Sequence, residues 1–308
     1  MLNCLGIKQL DKVTSFNLNP KQALSMNLSQ KTERVERAKR HRDMDMLLKG
    51  KFIHDGKVPK ACSVGCDLID ISDEPWNEID TDGCHAKVAA HDGTAEWIER
   101  LRDNVFEGLP TDKSSWWHVA LAEALPEDDK RIARFGSDDW EPYFHAVSIA
   151  ILGFTLEQKE CWQDPYRTLV ESAINQVIEY HMNPSEEKRS AAWSAADSAR
   201  FDAESAKSDA CYAAWSAVWS AADSDESAAL SASSTARSSA RSAARSSARS
   251  AARSAVWSAA RSSARSAALS AARPAARSAW SAAYEDIAKR IIAVFEGNDN
   301  QTLRFHDK

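Results

Sequence analysis

Apolar side chains recur at helical spacing through much of the first 182 residues. In residues 94–108, for example, Trp97, Ile98, Leu101 and Val105 follow the three- and four-residue spacing of one helix face. Four segments show enough of this periodicity to predict helices: residues 94–108, 113–125, 140–154 and 165–182. Residues 144–152 are the most apolar stretch of the chain, so we expect them at the centre of the core.

The segments before these helices are more polar. Residues 1–29 show no clear periodicity and predict an irregular N-terminal arm. Residues 30–48 predict a charged helix that lies on the surface, because apolar positions such as Val35 and Leu47 are sparse. Residues 49–58 predict a short β-hairpin that turns at Asp55-Gly56.

The last third of the chain is dominated by a long region without glycine. Pro184-Ser185 predicts a helix start, since serine caps helices well and proline suits the first turn. Within residues 236–279, every residue except Val256, Trp257, Leu269 and Pro274 is Ala, Ser or Arg, and alanine has the highest helix propensity. Most arginines repeat on a four-residue frame: Arg237, Arg241, Arg245, Arg249, Arg253, Arg261, Arg265, Arg273 and Arg277.

This frame does not match the period of an α-helix. Each four-residue step rotates the arginine by about 40°, so the arginines spiral around the helix and cannot form one face. More regular apolar stripes flank the repeat, and we expect them to dock on the N-terminal domain or on each other. They comprise Tyr212, Trp215, Trp219 and Leu230 on one side, and Trp280, Tyr284, Ile287, Ile291, Val294 and Phe295 on the other.

Together these patterns predict a mainly α protein: a helical N-terminal domain with a small β-hairpin, followed by long alanine-rich helices. The predicted divisions are the arm (1–29), an acidic helical domain with a Cys/His segment (30–183), an Ala/Ser/Arg-rich long-helix region (184–296) and a tail (297–308). The long-helix region fits one extended arm or a helical hairpin, since residues 223–226 and 231–235 favour a turn.

Charge divides the chain in the same place. Residues 1–188 carry a formal charge of −10 and residues 189–308 a charge of +4. The nine arginines lie between Ser227 and Tyr284, where there is no acidic residue. Such asymmetry usually marks binding to a polyanion or docking between parts of the protein. The candidate partners are nucleic acid, the acidic N-terminal half, and another protein or a second copy of the chain. The alternative without a partner is a solvated low-complexity helix that acts as a spacer.

Cysteine and histidine residues cluster in residues 61–91. Cys62, Cys66, Cys84 and His85 include enough soft ligands for a tetrahedral zinc site, although their spacing is not that of a zinc finger. The alternatives are buried thiols that only pack, and a reactive thiol that uses His85 as its base. No phosphate-binding glycine motif and no distinctive carboxylate pair is present.

Composition also indicates the cellular compartment. No run reaches the roughly 18 apolar residues of a membrane span. The N-terminus lacks the layout of a secretory signal, and six cysteines without dense spacing suit a reducing environment. We therefore expect a cytoplasmic protein without a membrane partner.

Several short motifs resemble an uncharacterised protein family of phages, prophages and other mobile elements. They are residues 37–42 (RAKRHR), 51–52 (KF), 62–66 (CSVGC), 93–101 (GTAEWIERL) and 106–110 (FEGLP), together with the alanine-rich region and the amphipathic end at 284–295. The family supplies no activity. The resemblance implies a protein of a bacterial host's cytoplasm and of mobile-element origin, where accessory binders, including inhibitors of host defence, are common.

These observations favour binding over catalysis. The leading hypothesis is a non-enzymatic accessory protein that binds protein or self-assembles as a homo-oligomer. The second is nucleic-acid binding by the arginine-rich helices. The third is an enzyme or zinc protein that depends on Cys62, Cys66 and His85.

Overall fold

The structure is a computed structural model of the chain. It describes residues 25–50, 53–54, 59–157, 166–185, 187–192, 194–195 and 264–298. The side chains of residues 53–54, 166–167, 169, 264–277 and 279–280 fall outside this description.

Helices account for most of the described residues, which confirms the mainly α fold. Within those ranges the helices are α1 (Leu28–Asp43), α2 (Ser63–Ile71), α3 (Cys84–Asp92), α4 (Glu96–Gly108), α5 (Thr111–Ala124), α6 (Asp128–Phe135), α7 (Glu141–Glu157), α8 (Tyr166–Met182) and α9 (Ala264–Glu296). Residues 187–192 and 194–195 are also helical. None of the described helices has the length and apolar character that crossing a membrane requires.

Among the residues that the structure describes, the β-structure is one small antiparallel pair. β1 (Ile53–His54) pairs with β2 (Lys60–Ala61), and the residues between them include the predicted turn, which lies outside the described residues. The second strand therefore falls after the predicted hairpin of 49–58. Ala61 also bridges Leu47, so the pair is held against the end of α1.

The start of α1 is capped by its own sequence. Asn27 Oδ1 accepts from the Gln30 backbone N–H at 3.0 Å, and Gln30 Oε1 accepts from the Asn27 N–H at 3.0 Å. This reciprocal capping satisfies two N–H groups that the first turn leaves open. Met26, which was predicted to be part of an irregular arm, is fully buried. Residues 1–24 lie outside the described residues.

The main core lies between α4, α5, α7 and α9. The apolar residues of α7 predicted at its centre are buried, with Val147 and Ile151 at 0 % exposure. Trp117 of α5 is also fully buried and donates its indole N–H to the Arg102 carbonyl at 2.9 Å, which joins α5 to α4.

The C-terminal end of α9 belongs to this core. Tyr284, Ile287, Ile291, Val294 and Phe295 are at most 2 % exposed. Each large apolar side chain contributes about 1.5–3 kcal/mol on burial, so five hold α9 in place with a free energy on the order of 10 kcal/mol. We call the described residues of 25–182, together with residues 283–296, the head.

Two helices that flank the long-helix region meet the same part of the head. α8, which precedes this region, packs on α7, and the end of α9 packs on α7 as well. Residues 186, 193 and 196–263 lie outside the described residues, so the extended arm and the helical hairpin both stay predictions.

Gly108 tests the docking of α9. A Cβ at this position would lie 2.2 Å from the Tyr284 ring, whereas one at Gly153, inside α7, would meet nothing within 4 Å. We expect Gly108→Ala to lower the free energy of unfolding by about 1–3 kcal/mol through overpacking. The control Gly153→Ala is expected to be neutral or stabilising by up to about 1 kcal/mol. Urea unfolding followed by circular dichroism measures both; equal effects would contradict the close approach of α4 and α9.

Candidate functional site

α1 buries a stripe of polar side chains, contrary to the expectation that it lies on the surface. Arg34, Arg37, Ala38 and His41 are at most 3 % exposed. Their spacing is that of one helix face, the pattern normally filled by apolar residues. The inward face of α1 therefore requires oppositely charged partners and could not pack against an apolar surface alone.

Carboxylates from three other helices supply those partners. Arg34 donates to Asp92 of α3 and to Glu99 of α4, each at 2.9 Å. Arg37 donates to Asp67 of α2 and to Asp92, each at 2.7 Å. All three carboxylates are at most 2 % exposed. These bonds tie α1 to α2, α3 and α4 at once.

Arg102 of α4 completes the set. Its NH1 donates to Asp67, and its NH2 lies 2.8 Å from Glu99 Oε2. Burial on its own raises the pKa of the Asp67 carboxyl, but Arg102 and Arg37 hold that pKa well below its usual value. Three buried guanidinium groups thus balance three buried carboxylates. We call this group the ionic core; its members are Arg34, Arg37, Arg102, Asp67, Asp92 and Glu99.

The ionic core is costly to assemble and more costly to break. Removing charges from water offsets most of their mutual attraction, so such a network adds little net stability over apolar packing. Deleting one member, however, leaves its partners charged and buried. The network therefore specifies which helices pack together more than it strengthens their packing.

Glu99→Gln tests this asymmetry. The change keeps the size of the side chain but leaves Arg34 and Arg102 with too little negative charge, so we expect a loss of about 3–5 kcal/mol in unfolding free energy. Glu96→Gln, on the same helix, is the matched control, because Glu96 pairs with the part-exposed Arg100 at 2.6 Å. It should cost less than about 1 kcal/mol. Similar losses in the two variants would show that burial does not decide the cost.

A hydrogen-bonded chain of side chains runs beside the ionic core. Ser63 Oγ lies 2.8 Å from His118 Nδ1, and His118 Nε2 lies 3.2 Å from His41 Nδ1. His41 Nε2 lies 3.0 Å from Asp70 Oδ2. In serine hydrolases the histidine beside the serine contacts the carboxylate directly, whereas here His41 stands between His118 and Asp70. Here Ser63 is 0 % exposed, so its hydroxyl is closed to substrate in this conformation.

The four predicted zinc ligands do not form one site. Cys66 Sγ faces the carbonyls of Met46 and Ala61, at 3.4 and 3.5 Å, whereas Cys84 Sγ lies 3.2 Å from His85 Nδ1. In the part of the chain that the structure describes, no three of the ligand atoms of Cys62, Cys66, Cys84 and His85 lie within 4.8 Å of one another. The group that meets this distance consists of His41, Asp67 and His118.

Burial keeps two of the thiols protonated. It raises the pKa of Cys66 to about 12 and raises that of Cys62 even further, with Asp103 adding to the rise at Cys62. A thiolate is the reactive form, so neither is suited to be a nucleophile. The hypothesis that pairs Cys62 or Cys66 with His85 as base therefore loses support, because His85 contacts Cys84 instead.

His85 is held in its protonated form. Burial lowers its pKa, but Asp103, whose Oδ2 lies 3.8 Å from Nε2, and Cys84 outweigh burial and raise the pKa to about 9. A raised pKa means that the folded protein holds this proton more tightly than the unfolded chain, in which histidine titrates near pH 6.5. The interaction therefore stabilises the fold below about pH 6.5, and this contribution is lost as pH rises through about 9.

Comparison of the wild type with His85→Gln tests this direction. We expect the wild type to exceed the variant in unfolding free energy by roughly 1–3 kcal/mol at about pH 6, and the difference to vanish near pH 10. Asp103→Asn should remove much of the same pH dependence. Urea unfolding across this range measures it, and a difference that does not change with pH would count against the protonated His85.

The other predicted binding residues divide between described and undescribed parts of the chain. Tyr284, Ile287, Ile291 and Phe295 lie in the core of the head. Arg265, Arg273 and Arg277 are on the helical backbone of α9, where their side chains and that of Trp280 are not described. The remaining positions lie outside the described residues: Arg237, Arg241, Arg245, Arg249, Arg253, Arg261, Tyr212, Trp215, Trp219 and Leu230.

The sequence carries a partial signal for the ionic core and for the pair formed by His41 and His118. Arg34, Arg37 and His41 share a helical stripe, but charged residues at that spacing usually indicate a solvated face. His118 lies among apolar residues of α5 and is fully buried. What the sequence did not show was the distance between partners, since His41 and His118 are 77 residues apart.

Comparisons of the chain with protein-family models, with curated proteins and with solved structures returned no match. What the protein does is therefore inferred from its own residues.

Proposed function

We propose that this is a non-enzymatic binding protein whose head displays the Ala/Ser/Arg-rich region to a protein partner. The observation that carries the proposal is that both flanks of this region are built into the head, against the same helix, α7. Since both flanks are held on one helix of the head, we infer that the head presents the region between them to a partner.

Specific contacts make the two anchors. On the α8 side, His145 Nδ1 lies 2.8 Å from His181 Nδ1. On the α9 side, Arg290 makes a two-pronged pair with Glu157, at 3.0 and 2.6 Å, and Phe295 stacks on Tyr143 with ring centroids 5.4 Å apart. Each anchor thus combines ring packing with a polar contact.

Charge favours an acidic protein surface as the partner. The region from Ser227 to Tyr284 contains nine arginines and no acid, whereas residues 1–188 carry −10. Every copy of the chain carries an acidic head, so the head of a second copy is an acidic surface that is always available as a partner. Opposite charges of this kind guide association, and small alanine and serine side chains allow close approach. We therefore propose self-assembly through contact of the basic region with a second head.

Two further observations support a binding role. The serine in the hydrogen-bonded chain is closed to substrate, and the groove along α8 is open and lined by polar side chains without cysteine or histidine. The resemblance to mobile-element proteins supports an accessory role, for which inhibition of a host defence system is our proposed setting.

Sedimentation velocity of the full chain across a concentration series tests self-assembly. We expect oligomers that dissociate as salt rises, because screening weakens contacts between exposed charges. A variant with Arg265, Arg273 and Arg277 changed to Gln should associate about tenfold more weakly, since each of the three lost charge pairs is expected to contribute about 0.5 kcal/mol. Gln at the exposed head lysines Lys39, Lys87 and Lys130 is the matched control, and should have little effect.

Two outcomes would overturn the proposal. A wild type that stays monomeric throughout the series contradicts self-assembly. Binding of the monomer to duplex DNA, with an affinity that falls steeply with salt and is lost in the three-arginine variant, would instead establish nucleic acid as the partner.

A further inference from the structure

Side chains from three helices bring together a set of metal-ligand atoms in the head. His41 of α1, Asp67 of α2 and His118 of α5 each offer one ligand atom, and these atoms lie within 4.8 Å of one another. All three residues are at most 1 % exposed. Imidazole nitrogen and carboxylate oxygen are ligands that zinc commonly takes.

The distances fit one shared ion. His41 Nδ1 lies 3.2 Å from His118 Nε2 and 3.7 Å from Asp67 Oδ1. Two nitrogens bound to one tetrahedral zinc at about 2.0–2.1 Å are separated by roughly 3.3 Å. Three protein ligands is also the number found in zinc sites that keep one position for water.

Both imidazoles have their outer nitrogen occupied in the way that zinc-bound histidines do. His41 contacts the Asp70 carboxylate through Nε2 at 3.0 Å, and His118 contacts the Ser63 hydroxyl through Nδ1 at 2.8 Å. An acceptor at the outer nitrogen fixes the tautomer, so that the inner nitrogen presents its lone pair. Burial also favours the neutral ring of His118, because it lowers the pKa of this group well below its usual value.

Acidic and basic side chains surround the site in nearly equal numbers. Four carboxylates lie in this part of the head (Asp67, Asp70, Asp92 and Glu99), against the three arginines of the ionic core. The additional carboxylate, Asp70, is also paired with the exposed Arg40. Asp70 is the part-exposed member, with 20 % of its side chain accessible, and it marks the side of the site nearest to solvent.

We propose that His41, His118 and Asp67 bind one Zn²⁺ ion that joins α1, α2 and α5. This site differs from the Cys/His set suggested by the sequence: it contains no thiolate, and its ligands are separated by 26 and 51 residues along the chain. Its role is to hold the helices together, because the ligands are enclosed.

Zinc and cobalt binding to the full chain test the site. We expect the purified protein to retain about one Zn²⁺ per chain, the stoichiometry of a single three-ligand site, and Zn²⁺ to raise its unfolding temperature. Co²⁺ should give visible d–d bands without the near-ultraviolet thiolate band that a cysteine site produces. His41→Gln and His118→Gln should each weaken Zn²⁺ binding at least tenfold, whereas His91→Gln, at a part-exposed histidine, and Cys84→Ser should not.

A second pair of variants guards against misfolding of the ligand variants. Asp70→Asn and Ser63→Ala leave the three ligands in place and should weaken Zn²⁺ binding about 10- to 100-fold, the usual effect of removing a partner of a ligating histidine. Wild-type protein that neither retains Zn²⁺ nor gains thermal stability from it would overturn the proposal. So would a cobalt spectrum with a thiolate band that disappears in Cys84→Ser.

Discussion

The buried charges of the ionic core are the constraint on which the packing of the head depends. An apolar helix face can slide or rotate against its neighbours at modest cost, because dispersion contacts are not directional. Arg34 and Arg37 cannot, since each must meet two carboxylates that come from different helices. α1 therefore docks only where α2, α3 and α4 present these carboxylates together. The network adds little net stability, and its main effect is to exclude other arrangements of the same helices.

Much of the fold followed from apolar periodicity, because its helices bury ordinary apolar faces. α4, α5, α7 and α8 appear close to their predicted bounds. The same rule failed for α1, whose buried stripe consists of arginine, alanine and histidine. Hydrophobic spacing assumes that charge means solvent, and nothing in residues 30–48 reveals that Asp67, Asp92 and Glu99 will neutralise it. Short helices such as α2 and α3 also escaped prediction, since nine residues contain too few turns for a pattern to emerge.

The candidate site was harder to predict than the fold, because residues that are close in sequence do not form the site. Cys62 and Cys66 bracket the first turn of α2, and burial keeps their thiols protonated. Cys84 begins α3 and contacts its own neighbour, His85. The residues that do converge, His41, Asp67 and His118, lie on three helices whose packing order no local motif encodes. The cysteines and the histidine near residue 62 gave no indication of this group, because it is the packing of α5 on α1 that brings His118 to His41.

The ionic core and the anchor of the Ala/Ser/Arg-rich region are not independent, because they share helices. α4 carries Glu99 and Arg102 inward to the ionic core and also packs against α9, and α5 carries His118 while it packs against α1 and α9. A substitution that displaces α4 or α5 must therefore affect both the buried polar groups and the contacts with α9. α4 and α9 pack closely at Gly108, since the Tyr284 ring occupies the space where a Cβ would be. In a closely packed interior, a displacement of one helix is transmitted to the helices that contact it. The stability of the polar interior and the docking of α9 are consequently one property of the head.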